Sequence, residues 1–141
     1  MGDLPDTLRP LPYPWPLLSY LRTTLARIPH ITNLDFADAI DYYDHPNTLF
    51  FLDPPWVGAP NYEYNIDGRH RELIEKAQNA QGKYLGILST SHSHLDDVKG
   101  VPYVYLFRTT GFLRNLVFSS IPLSEHKRLK SIDLVDYGIE T

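Results

Sequence analysis

The sequence predicts an α/β fold in which the last two strands of the sheet are antiparallel. Five short runs of apolar, β-branched or aromatic residues are bounded by turn residues, and a helical pattern separates the second run from the third. This alternation is typical of a sheet with crossover helices. The runs are His30–Leu34, Thr48–Leu52, Tyr84–Thr90, Tyr103–Arg108 and Asn115–Ile121.

The antiparallel pairing at the end of the sheet follows from spacing. Only residues 109–114 separate the last two runs, and a parallel crossover needs a dozen residues or more. We therefore expect these two strands to form a hairpin. The second and third runs are nearly all apolar, as strands covered on both faces are.

Two helices are predicted. The first covers Pro16–Ala26, and the second covers Gly68–Gln81, with Asp67 as its cap and Gly82 as its stop. Glu72 and Lys76 have the i,i+4 spacing of an ion pair. The residues expected to face inward are Leu17, Leu18, Leu21 and Leu25 in the first helix, and Leu73, Ile74, Ala77 and Ala80 in the second.

Composition places the chain among globular proteins and excludes several classes of site. The 141 residues suit a single domain, with residues 1–15 as an irregular proline-rich arm, 16–130 as the domain and 131–141 as a tail. No apolar run approaches the length of a membrane span, and no secretory signal is recognisable, so a cytoplasmic protein is expected. Without cysteine, the chain has no disulfide and no thiolate metal site.

The charge is unevenly distributed. The net charge of −4 argues weakly against a dedicated nucleic-acid binder. Residues 101–130, however, have a local excess of four positive charges, which fits either a solvated face or a rim that contacts phosphates. The charged residues of this segment are Arg108, Arg114, Lys127, Arg128 and Lys130, opposed by Glu125.

The most specific motif is Asp53-Pro54-Pro55-Trp56, which directly follows an apolar strand. In an open α/β sheet, ligands bind beyond the carboxyl ends of the strands, where this motif should lie. Two prolines stiffen the turn and donate no amide hydrogens, so its carbonyls are available as acceptors. A carboxylate, a carbonyl and an indole plate suit a planar group with an amino substituent, such as adenine. A plain rigid loop is the alternative.

The motif resembles the Asp-Pro-Pro-Tyr sequence of the Dam-like DNA adenine-N6 methyltransferases, with tryptophan in place of tyrosine. The flanking segments are similar in order: Leu21–Leu25 and Ile31–Phe36 before the motif, and Tyr62, Tyr64, His70 and Leu73 after it. Residues 82–89 and 115–120 resemble two later strands of the family. The resemblance implies the C-terminal half of a Rossmann-like, S-adenosylmethionine-dependent methyltransferase sheet.

By the same resemblance, a flipped adenine stacks on Trp56 while Asp53 and the Pro54 carbonyl accept its amino hydrogens, with Pro55 stiffening the turn. Asp35 and Phe36, together with Asp53, would bind S-adenosylmethionine. Alternatively, Asp35 caps a helix that begins near Phe36, and Trp56 is a packing residue. The resemblance further suggests Tyr62, Tyr64, Arg108 and Arg114 as DNA contacts, although loop packing explains the two tyrosines equally well.

One family feature is missing. No two glycines are separated by a single residue, so the Gly-x-Gly loop that holds the cofactor is absent, as are the first strands and the target-recognition segment. The chain could be one subunit of a split enzyme, a truncated product or a non-catalytic module that binds nucleic acid or protein. A missing half-sheet exposes an edge, which favours a homodimer or a partner subunit. DNA is the other expected partner, and a membrane is not.

A metal-dependent hydrolase is a third interpretation, based on the run His92-x-His94-x-Asp96-Asp97. Two histidines at i,i+2 after a strand can share a ligand face. The other histidines form no matching ligand cluster in the sequence, and a polar loop explains the run equally well. We therefore expect no metal.

Overall fold

A computed structural model of the chain describes residues 15–55, 66, 68–89, 94–108 and 114–140. The chain divides into two compact units, Met1–Asn33 and Leu34–Thr141. The helices are α1 (Trp15–Leu25), α2 (Phe36–Tyr43) and α3 (His70–Asn79). The strands are β1 (Leu49–Leu52), β2 (Lys83–Ser89), β3 (Tyr103–Arg108), β4 (Arg114–Ser119) and β5 (Leu129–Ser131). No helix in these ranges is both long enough and apolar enough to span a bilayer.

The first unit contains α1, one residue away from its predicted bounds. Its apolar stripe was predicted to face inward, and that prediction is wrong. Leu17, Leu18, Leu21 and Leu25 are 38% to 51% exposed. A single helix offers no second layer against which its own stripe can be buried.

The second unit is a mixed α/β fold with a five-stranded sheet in the order β1-β2-β4-β3-β5. β1 and β2 are parallel, whereas the remaining neighbours are antiparallel. The predicted antiparallel pairing of the last two runs is confirmed, with Tyr103 opposite Ser119 and Arg108 opposite Arg114. β4 lies between β2 and β3, so this is not the all-parallel sheet of a simple doubly wound fold.

Helices α2 and α3 belong to the second unit, which has its core on one face of the sheet. Three of the four residues predicted to face inward on α3, Leu73, Ile74 and Ala77, are buried, and Ala80 is half-buried. The core also includes the strand residues Leu52, Tyr84, Leu88, Val104, Leu116 and Phe118. Leu134, after β5, is buried in the same cluster.

Three local predictions are corrected. His30–Leu34 is not a strand, and its Ile31 is 71% exposed, because composition alone does not supply the ladder of backbone hydrogen bonds that defines a strand. α3 begins at His70 after Arg69 rather than after Asp67, and it ends at Asn79, before Gly82.

The predicted Glu72–Lys76 ion pair is also absent. Glu72 pairs with Arg69, and Lys76 pairs with Asp41 of α2. The i,i+4 spacing within one helix does not predict either of these partners.

Candidate functional site

Most of the predicted functional residues lie at one end of the sheet. β1 and β2 are parallel, so both end at the same side, which we call the carboxyl edge. Ser89 at the end of β2 lies opposite Asn115, so β4 begins at this edge. β3 ends there, since Arg108 lies opposite Arg114. α3 connects β1 to β2, so it begins at this edge and returns in the opposite direction. The hydrogen bond from Arg69 to Asp35 places the start of α2 beside the start of α3.

Asp53, Pro54 and Pro55 leave β1 at the carboxyl edge, and we call them the diproline corner. Asp53 is exposed, Pro54 is buried and Pro55 is half-buried. Among the residues that the structure describes, no donor or cation reaches the Asp53 carboxylate, which therefore faces solvent as an available acceptor. Trp56, Tyr62 and Tyr64 lie outside the described residues, so their predicted roles remain predictions.

Asp35 and Phe36 form a cluster with a residue that the sequence did not single out. The Asp35 carboxylate accepts the Ala37 amide at 3.0 Å and so caps α2. Arg69 donates to the same carboxylate at 2.8 and 3.2 Å. Its guanidinium also lies 4.3 Å from the centre of the Phe36 ring. The cap predicted as one of two roles for Asp35 is thus formed.

The opposite charges in this cluster stabilise each other's ionised forms. The Arg69 guanidinium, with help from the Ala37 amide, keeps the pKa of Asp35 below its ordinary value. Arg69 also lowers the pKa of Glu72, and the two carboxylates, Glu72 first, raise the pKa of Arg69. Arg69 and Asp35 are 41% and 42% exposed, so solvent screening keeps the contribution of this pair to stability small.

The lowered pKa of Asp35 predicts the sign of a pH effect. A carboxyl whose folded pKa is depressed stabilises the fold above its unfolded pKa and loses that contribution as pH falls. Asp35→Asn keeps a good helix cap but removes the charge. We expect the variant to melt below the parent chain at pH 7, and the difference to shrink as pH falls below about 4 and through the depressed pKa of Asp35. Thermal melts across pH measure this, and a difference that is unchanged at the lowest pH at which both proteins fold would contradict it.

Arg69 contacts Asp35 and Phe36, two of the residues that were predicted to bind S-adenosylmethionine. Both carboxylate oxygens of Asp35 are engaged, and the guanidinium of Arg69 lies against Phe36. The Gly-x-Gly loop is absent from the sequence. Beside the cluster, an open groove of about 420 Å³ runs between α2 and β1, lined by Phe36, Ile40, Tyr43 and the strand itself. Completing a pocket here requires groups from elsewhere.

Comparisons with protein-family models, curated proteins and solved structures found no match.

Three arginines occupy adjacent register positions at the carboxyl edge. Arg108 lies opposite Arg114, and its amide donates to the carbonyl of Arg128 at 2.8 Å. We call Arg114, Arg108 and Arg128 the arginine row. Arg108 and Arg128 are exposed, and within the described ranges no carboxylate pairs with either. Like charges directly opposite each other destabilise a sheet unless an anion offsets them.

The histidine run after β2 is only partly described, so the expected absence of a metal stays a prediction. His94 is buried and its Nδ1 lies 2.8 Å from Oδ2 of Asp97. His92 lies outside the described residues. In the part of the chain that was searched, no three potential ligands come together as a metal site would require.

Sequence reasoning missed two contacts of the site. One is Arg69 on Asp35, which joins the starts of two helices 34 residues apart. The other is His70, whose Nε2 lies 3.2 Å from the carbonyl oxygen of Pro55. The only available signal was the position of both residues at the start of a predicted helix that follows the motif loop.

Proposed function

We propose that this chain is the base-handling part of a DNA adenine-N6 methyltransferase that acts on a flipped adenine and takes its methyl group from S-adenosylmethionine. The observation that carries the proposal is the diproline corner. It presents an exposed carboxylate with no partner among the described residues, at the edge of the sheet where ligands bind. In this proposal, further polypeptide supplies the rest of the cofactor pocket, and the protein is active only when that pocket is complete.

The corner explains how an adenine amino group would be held. Asp53 and the Pro54 carbonyl would each accept one amino hydrogen, which fixes the plane of the base and favours positive charge growing on the nitrogen. Proline has no amide hydrogen, so the corner offers acceptors without a competing backbone donor. Trp56 follows at once in the chain and supplies the stacking plate in this proposal.

The arginine row supports DNA as the substrate. With neighbouring strands about 4.8 Å apart, Arg114, Arg108 and Arg128 lie roughly 10 to 19 Å along the edge from the strand that carries Asp53. These distances are comparable with the distance from a base to the flanking phosphates, since a DNA groove is about 6 to 12 Å wide and is bordered by the sugar-phosphate backbone. A base held at the corner would therefore place neighbouring phosphates near the row.

Arg108→Gln and Arg128→Gln test this placement. Each variant should bind single-stranded DNA more weakly and lower the slope of log affinity against log salt by about one. Lys83→Gln is the matched control, because Lys83 is an exposed cation at the amino end of β2, on the opposite side of the sheet. Fluorescence anisotropy from 50 to 300 mM salt measures the slopes. Equal slopes for all three variants would remove the row from the DNA interface.

The edges of the sheet support the need for completion. β1 is an edge strand with the sequence Leu-Phe-Phe-Leu, and its Leu49 and Phe51 are 58% and 60% exposed. The other edge, β5, is only three residues long and carries Lys130, the usual protection against pairing. β1 has no such protection and is apolar on both faces, as interior strands are. A strand from a partner subunit or from a second copy would cover it.

A non-catalytic binding module is the second candidate, favoured by the engagement of Asp35 and Phe36 with Arg69. Calorimetry separates the two functions. The catalytic proposal expects S-adenosylmethionine to bind once an adenine oligonucleotide and the completing polypeptide are present. A module expects adenine binding but no heat from S-adenosylmethionine under any condition. Equal affinity for oligonucleotides with and without adenine would contradict both the catalytic function and an adenine-binding module.

A further inference from the structure

His70 touches the diproline corner directly. It is the first residue of α3, its exposed fraction is 4%, and its Nε2 lies 3.2 Å from the carbonyl oxygen of Pro55. A carbonyl oxygen only accepts, so the hydrogen bond requires a proton on Nε2. That carbonyl belongs to the peptide bond that joins Pro55 to Trp56. The helix thus holds the corner at the peptide that leads to the aromatic residue of the motif.

A second buried histidine supports the ring of His70. His94 is 3% exposed, and its ring centre lies 4.8 Å from that of His70 at an interplanar angle of 55°. Its Nδ1 lies 2.8 Å from a carboxylate oxygen of Asp97, which requires the proton on Nδ1. Asp97 therefore orients His94, and His94 packs against the one side chain that holds Pro55. The histidine run, which the proposed function left unused, is connected to the motif in this way.

We propose that His70 is a positioning residue of the adenine site and that His94, oriented by Asp97, keeps its ring in place. The proposal rests on the proposed function of the corner. Two consecutive prolines give the turn no amide donor, so the sheet cannot fix its peptide planes. The Nε2–H of His70 supplies this missing constraint by donating a hydrogen bond to the Pro55 carbonyl. Holding the Pro55 carbonyl in turn limits how far the adjoining Pro54 carbonyl can rotate away from the base.

Two variants of the full chain test this role. His70→Gln keeps an N–H donor near the position of Nε2, whereas His70→Leu fills space without a donor. Both are made with Trp15→Phe, which leaves Trp56 as the single tryptophan. Melting temperature and circular dichroism establish that each variant folds. Acrylamide quenching of Trp56 then reports the freedom of the corner, and binding of oligonucleotides with adenine or N6,N6-dimethyladenine reports base discrimination.

We expect His70→Leu to increase the quenching of Trp56 and to lower discrimination roughly threefold to tenfold, the value of one neutral hydrogen bond. His70→Gln should restore both readouts to within about twofold of the parent, which a purely space-filling role would not do. Equal behaviour of the two folded variants, whether both impaired or both unimpaired, would overturn the proposal.

The two readouts separate failure of this inference from failure of the proposed function. A parent chain that does not distinguish adenine from N6,N6-dimethyladenine contradicts adenine binding, and with it the assignment of His70 to an adenine site. Trp56 quenching in the same samples still shows whether His70 holds the corner. If discrimination is present but quenching is the same in all three proteins, the function stands and His70 has no positioning role.

Discussion

Replacing Asp53 with alanine should sharply reduce the preference of the chain for adenine over N6,N6-dimethyladenine in single-stranded DNA. The dimethylated base has no amino hydrogen, so it cannot donate to a carboxylate. A hydrogen bond to a charged group contributes about 1.5 to 3 kcal/mol, which corresponds to a preference of roughly tenfold to a hundredfold in the parent chain. In Asp53→Ala the preference should fall by that factor, which leaves only the part that the Pro54 carbonyl supports.

The ratio of the two affinities is the proper measurement, because removing a negative charge near DNA by itself strengthens binding to every oligonucleotide. Asp136→Ala is the matched control. Asp136 is an exposed acid in the short turn after β5, away from the carboxyl edge, and its removal changes the net charge equally. This control should retain the full preference for adenine.

Folding should not confound the result. The Asp53 carboxylate is exposed and holds no contact within the described residues, so its loss should change the free energy of unfolding by no more than about 0.5 kcal/mol. Asp53→Asn, which keeps an acceptor oxygen but loses the charge, should give an intermediate preference. A preference of undiminished size in Asp53→Ala would show that the carboxylate does not bind the amino group and would remove the main support for the proposed function.

The sequence predicted the parts of this fold that depend on local pattern. The strand at Tyr103–Arg108 was found with its bounds, because an apolar and aromatic run there is closed by turn residues on both sides. The buried side of α3 followed from the spacing of Leu73, Ile74 and Ala77. The position of Asp53 at the carboxyl end of β1 was also predicted, because Asp53 directly follows the apolar run that forms this strand.

What could not be predicted depends on partners that are distant in sequence. The spacing of Glu72 and Lys76 permits an ion pair, but Arg69 and Asp41 compete for them across turns and elements. His30–Leu34 has the composition of a strand, but the structure assigns it to no strand. β5 is too short to stand out, and it exists because β3 offers it an edge.

The largest expected effect on stability comes from Gly86, in the middle of β2. Gly86 lies opposite Phe118 of β4, and a methyl group on it would overlap the Phe118 ring, which is completely buried. Forcing extra atoms into a packed core costs about 1 to 3 kcal/mol and sometimes more, against a total stability of roughly 5 to 15 kcal/mol for a domain. We therefore expect Gly86→Ala to lower the urea midpoint strongly or to prevent folding.

The sign of the change in unfolding free energy shows whether Gly86 is packed closely against Phe118. In a strand without close contacts, alanine in place of glycine would stabilise the chain by about 0.5 to 1 kcal/mol, because it reduces the freedom of the unfolded state. Phe118→Leu removes the ring that the methyl group would meet, so in that background Gly86→Ala should cost much less. The urea unfolding free energies of the two single variants and the double variant form a cycle, in which we expect a coupling above about 1 kcal/mol. If the two substitutions are additive, Gly86 of β2 is not packed against Phe118 as described.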